Sequence, residues 1–83
     1  MSYFVYLVEC ADCTLYCGFT PDLVKRVAWH NAGKASKYTR SRLPVKLVYS
    51  ESYLLRTDAL KREYAIKRMS REEKWELVKS SKK

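Results

Sequence analysis

The sequence predicts an α+β fold: a three-stranded antiparallel sheet, built from a hairpin plus a third strand, flanked by three helices. Three observations predict it. Two aromatic and β-branched runs are separated by a short turn, a third such run follows a proline, and three helix-start signals lie between and after these runs.

Residues 3–9, YFVYLVE, are continuously apolar up to the final Glu9, which suits a strand buried on both faces. Cys10-Ala11-Asp12-Cys13 carries a turn signal at Asp12, and residues 14–19, TLYCGF, resume strand character. The pairing register stays open at this level. A two-residue loop pairs Leu7 with Tyr16 and puts Tyr6 and Tyr16 on opposite faces, whereas an odd loop of three or five residues puts both on one face.

Thr20-Pro21-Asp22 marks a helix start, with a hydroxyl cap, a proline at the first helical position and an acid near the positive dipole end. The helix is expected to reach about Asn31. Leu23, Val24, Val27 and Ala28 form its apolar stripe, Arg26 and His30 lie on a flank that borders the core without entering it, and Trp29 lies opposite the stripe. Gly33 ends the helix, and residues 34–42, KASKYTRSR, follow as a basic loop or short turn. Pro44 precedes residues 45–51, VKLVYSE, the third strand, in which Lys46 interrupts an apolar run. Thr57 and Asp58 are expected to cap a helix through Met69. Ser70 with Glu73 has the capping-box spacing, so the tail forms a separate helix through about Val78, with Trp75 and Val78 toward the core and Lys79 to Lys83 frayed.

With 83 residues the chain is expected to be a single domain, 1–83, and 47% hydrophobic content with only two Gly and two Pro indicates a packed core without long linkers. The net charge of +8 is unevenly spread: residues 1–33 sum to −1 and residues 34–83 to +9. A one-sided basic balance suits a polyanionic partner. No run approaches a membrane span and no secretory pattern opens the chain, so a cytoplasmic protein without membrane partners is expected. Cys10, Cys13 and Cys17 cannot all pair internally and are read as thiols.

Glu63 stands out among these residues. On a helix it falls between Ala59, Leu60, Tyr64 and Ile66, so it points inward and requires a cation beside it: a metal ion, an Arg or a Lys.

Phe4-Val5-Tyr6, then Tyr16-Cys17-Gly18, Arg26, His30, Asn31 and the helical Glu63 resemble the GIY-YIG nuclease superfamily, in particular its small single-domain bacterial members, across nearly the whole chain. The motifs here read FVY and YCG, so the letters behind the family's name are partly replaced while each tyrosine and Gly18 remain. Many larger members place an asparagine after the glutamate helix, and this chain has none beyond Glu63. The resemblance implies one active site lined by the tyrosines, the arginine and the glutamate. It also implies a divalent metal on Glu63, and products with 5′-phosphate and 3′-hydroxyl ends.

Phosphodiester hydrolysis needs a base for water, positive charge for the developing oxyanion and help for the leaving oxygen. Tyr16 is assigned as general base or water orienter, and Tyr6 as the positioning phenol. Arg26 presents its planar fork to the scissile phosphate, His30 bonds a phosphate oxygen or Tyr16, and Glu63 holds one hydrated Mg²⁺ or Mn²⁺. Lys34, Lys37, Arg40 and Arg42, interleaved with Tyr38, are assigned to DNA contact, against the alternative of a solvated loop. No linked targeting domain is expected, which leaves targeting to a protein partner. Two other classes stand beside the metal-dependent DNA endonuclease. One is a basic nucleic-acid-binding module of the same fold with little turnover, and the other a domain holding zinc through Cys10 and Cys13, completed by Cys17 and His30.

Overall fold

The computed structural model describes residues 2–81. The elements run β1 (Tyr3–Glu9), β2 (Leu15–Thr20), α1 (Leu23–Asn31), α2 (Lys37–Arg40), β3 (Lys46–Tyr53), α3 (Arg56–Lys67) and α4 (Arg71–Ser80). The sheet is three-stranded with order β2-β1-β3, and both pairings are antiparallel. This is the expected α+β sheet with three longer helices; the basic segment adds a one-turn helix, α2, capped by Ser36.

Central β1 is buried on both faces, with Val5, Tyr6, Leu7 and Val8 almost wholly shielded. Val5, Leu7, Leu15 and Cys17 face Ala59 and Ile66 of α3 and Val78 of α4, with Trp75 packed alongside. Tyr6, Val8 and Cys10 face the other way, against Leu23 and Val27 of α1, Leu43 and Val45. Helices therefore cover both sides of the sheet, and side chains alternate between two cores as the strand period requires. Val48 is the extra residue of a bulge opposite Leu7 and Val8. Lys46 is explained by its cross-strand partner Glu9, 3.7 Å away. Arg62 reaches from α3 to Glu51 of β3 with bonds of 2.9 and 3.0 Å, and Tyr49 and Tyr53 donate to the same carboxylate. That network ties α3 to the sheet edge opposite β2.

Helix boundaries differ from expectation in ways the caps explain. Asp22, rather than Thr20, caps α1 by accepting from the Lys25 N–H, so Leu23 and not Pro21 takes the first helical position, while Thr20 bonds the Asp22 backbone. Helix α3 begins at Arg56, ahead of Thr57 and Asp58, after Leu55 and without a side-chain cap; the acid Asp58 sits in its first turn. The Ser70–Glu73 capping box opens α4 as expected. That helix holds through Ser80, past the expected onset of fraying at Lys79, and Lys82 and Lys83 lie outside the described residues. The apolar stripe of α1 is also rotated. Val24 is 84% exposed and Ala28 is at the surface, whereas His30, expected on the flank, is only 1% exposed and packs inside. No helix among the described residues is long and apolar enough to cross a membrane.

Candidate active site

The hairpin register decides the geometry of the site. Five residues, Cys10 to Thr14, connect β1 to β2, so Val8 pairs with Tyr16 and Tyr6 with Gly18. Asp12 shapes the connection by accepting from the Thr14 N–H and hydroxyl, and Cys13 turns through the left-handed region. Directly opposed residues share a face, and the odd loop puts Tyr6 and Tyr16 on the same one.

Gly18 then lets the Tyr6 side chain lie across β2. A Cβ at Gly18 would sit 2.3 Å from the Tyr6 hydroxyl oxygen and 2.4 Å from Cζ. The absent side chain carries the phenol from the central strand over the edge strand, and only glycine leaves that room. There the hydroxyl meets His30 Nε2 at 2.8 Å, and the other imidazole nitrogen meets Thr39 Oγ1 at 2.8 Å. Tyr16 sets its ring against the edge of His30, with centroids 5.4 Å apart, and Tyr38 stacks over Tyr16 at 5.9 Å. His30 thus touches both hairpin tyrosines.

The charges act on the same phenol. Burial pushes the Tyr6 hydroxyl well above the ordinary phenol range; Arg26 opposes the shift, while Tyr16, Cys17 and Glu63 add to it. Burial and the Arg26 guanidinium hold His30 below the usual histidine range, which favours neutral imidazole. Arg26 and Lys25 also lie over the ring of Trp29, which is 44% exposed, beside a hollow of about 200 Å³.

Glu63 approaches from the other layer. Ala59 and Ile66 are buried as expected, but Leu60 and Tyr64 are exposed, because α3 turns its buried stripe toward β1 and β2. The Glu63 side chain is 19% exposed and its cation is Lys67, with Nζ 3.3 Å from Oε2. The Cys17 thiol, 4.0 Å from the Glu63 carbonyl, is pushed up to about 12 by burial and then by the Glu63 charge. A cleft of about 350 Å³ wraps the β2 edge here, lined by Leu15, Tyr16, Cys17, Tyr38, Lys67 and Lys74. It joins the phenol face to the carboxylate face.

Of the basic segment, Lys34, Lys37 and Arg40 are exposed. Arg42 instead turns back onto the fold. Its Nε is 3.0 Å from Asp12, its terminal nitrogen donates to the Tyr38 carbonyl at 2.7 Å, and its guanidinium lies 4.0 Å from the Tyr38 ring centroid. Asn31 clamps both backbone groups of Val45. Lys67 follows Glu63 by one helical turn, a spacing legible in the sequence, whereas nothing in the sequence pointed to Lys74 or Thr39.

This chain belongs to the GIY-YIG family. The model of the GIY-YIG catalytic domain matches residues 2–76. A UPF0213 protein of Staphylococcus aureus is 50% identical over 78 residues, spanning 94% of this chain and 95% of the relative. One from Staphylococcus haemolyticus is 46% identical over 77 residues, spanning 93% and 94%. The NMR structure of a Bacillus halodurans UPF0213 protein superposes with TM-score 0.62 at 39% identity, covering 95% of this chain and 84% of that one. A protein from E. faecalis gives TM-score 0.65 at 33% identity, covering 96% and 85%. GIY-YIG membership places the chain in a nuclease superfamily.

The donor set discriminates between metals. Among the described residues no three His, Cys, Asp or Glu side chains gather into a cage. Cys17 and His30 lie on opposite sides of the sheet, so the four zinc ligands considered above do not converge. A single half-buried carboxylate does fit Mg²⁺ or Mn²⁺, which keep most of their waters and take further ligands from substrate phosphates.

Proposed function

We propose that this protein is a metal-dependent endonuclease that hydrolyses phosphodiester bonds in DNA in the cytoplasm. The observation that carries the reading is the cluster at the β2 edge, where Tyr6 lies over Gly18 and bonds His30, while Tyr16 packs against the same imidazole and faces the cleft. Arg26 offers a planar fork to a phosphate, and Lys67 and Lys74 add positive charge along the cleft beside Tyr16. Tyr16 is the phenol that faces this cleft, which suits it to orient or deprotonate the attacking water. Tyr6, held neutral by burial, positions rather than deprotonates. Glu63 would hold a hydrated Mg²⁺ or Mn²⁺, which would neutralise charge on the phosphate and the leaving oxygen. Exposed Lys34, Lys37 and Arg40, with Tyr38 at the cleft, extend the DNA contact. Arg42 contributes by bracing Tyr38.

The test incubates pure protein with plasmid and branched DNA in Mg²⁺, Mn²⁺ or EDTA. Cutting is expected with either metal and is lost in EDTA. Glu63→Ala and Arg26→Ala abolish it while DNA binding stays nearly intact. Cleavage that survives both substitutions refutes the assignment. Salt-dependent binding without cutting by the native chain points instead to a binding module.

A further inference from the structure

The hydrogen bonds around His30 have a direction. Thr39 Oγ1 lies 3.3 Å from the Ser36 carbonyl, which can only accept, so the Thr39 hydrogen has an acceptor there when His30 Nδ1 carries a proton. The Thr39 oxygen is then an acceptor for His30 Nδ1–H, which leaves Nε2 unprotonated as the acceptor for the Tyr6 hydroxyl. Every hydrogen in the chain Tyr6, His30, Thr39, Ser36 finds an acceptor. With the proton on Nε2, the Tyr6 hydrogen would have no acceptor among the described residues, in a place where Tyr6, His30 and Thr39 are each at most 1% exposed.

We infer that Thr39 is a positioning residue of the active site: its hydroxyl, anchored on the Ser36 carbonyl, fixes His30 as the Nδ1–H tautomer and so holds the Tyr6 hydrogen on Nε2. The imidazole so fixed is the ring that Tyr16 packs edge-on against, and Tyr16 is the phenol that faces the cleft, so Thr39 acts on the site through His30 and Tyr16. The depressed basicity of His30 agrees, since a protonated ring could not accept from Tyr6. The effect on turnover rests on the nuclease reading, whereas the tautomer does not.

His30 is the single histidine of the chain, so ¹⁵N-histidine labelling reports it alone. In the native protein at pH 7.5, long-range ¹H–¹⁵N spectra are expected to give a pyrrole-like Nδ1 and a pyridine-like Nε2. Thr39→Ser keeps this pattern, while Thr39→Val loses it, with kcat for DNA cleavage roughly tenfold lower and KM little changed. Thr39→Ser restores the rate. A native His30 that is Nε2–H or doubly protonated overturns the inference. So does a Thr39→Val chain that keeps the native pattern, or one that cuts as fast as Thr39→Ser. If the ¹⁵N patterns follow expectation but no form cuts DNA, the nuclease reading falls and the tautomer assignment stands.

Discussion

Replacing Gly18 by alanine tests the central packing of the site. The added Cβ would lie 2.3 Å from the Tyr6 oxygen, 2.4 Å from Cζ and 2.8 Å from Cε1, where ordinary contact starts near 3.4 Å. The ring must therefore retreat by about 1 Å, and it has nowhere soft to go because Tyr6 is buried and bonded to His30. Overpacking of this kind costs about 1–3 kcal/mol, and stretching the buried Tyr6–His30 bond adds a similar amount, so about 2–5 kcal/mol is expected in total. A chain of this length has a margin of roughly 4–12 kcal/mol, so the variant should fold but weakly. With a urea m-value of about 1 kcal/mol per M, the unfolding midpoint should drop by about 2 M or more. Phenylalanine at position 6 gives no relief, since Cζ itself clashes, whereas Tyr6→Leu removes the ring. On that background Gly18→Ala should cost little, because a strand glycine is itself unfavourable by about 0.5–1 kcal/mol relative to alanine. An equal loss on both backgrounds, or an unchanged midpoint in the single variant, would refute the packing argument.

Two further outcomes follow from the charges. His30 is held below its ordinary pKa by burial and by Arg26, so its stabilising contribution is complete above about pH 6.5 and is lost as pH falls through the depressed native value. Unfolding free energies of the native chain from urea titrations should decline as pH falls below about 6.5, with a slope of up to about 1.4 kcal/mol per pH unit, and more shallowly in His30→Gln. Parallel declines would contradict a buried neutral imidazole. Glu51, whose burial is outweighed by bonds from Arg62, Tyr49 and Tyr53, is also held low, so its contribution disappears only at more acidic pH. Lys74 borders the cleft beside Tyr16 without a carboxylate partner among the described residues. Lys74→Gln should therefore weaken duplex binding and reduce the log–log salt slope by about 0.9, as read by fluorescence anisotropy; an unchanged slope would remove it from the DNA path.

Local patterning determined the strands, the capping box at Ser70 and the order of elements, because alternation, turn residues and caps act over a few neighbouring positions. It also marked Glu63 as an acid needing a cation, while the resemblance to the GIY-YIG family marked the two tyrosines, Arg26 and His30 as the residues to watch. Three matters were decided only by the folded chain. Hairpin register depends on how the five-residue turn closes against the cores, and it alone put the two tyrosines on one face. The rotation of α1 buried His30 and exposed Val24, since a helix settles its stripe against whatever partner surface it meets. That Lys67 stands 3.3 Å from the Glu63 carboxylate was likewise set by the folded chain. Thr39 and Lys74 carry no signature at all in sequence, because their partners lie across Gly33 or on the edge of another layer. Spacing along a chain reports which side chains share a local face, whereas which faces meet is set by the simultaneous packing of all the elements.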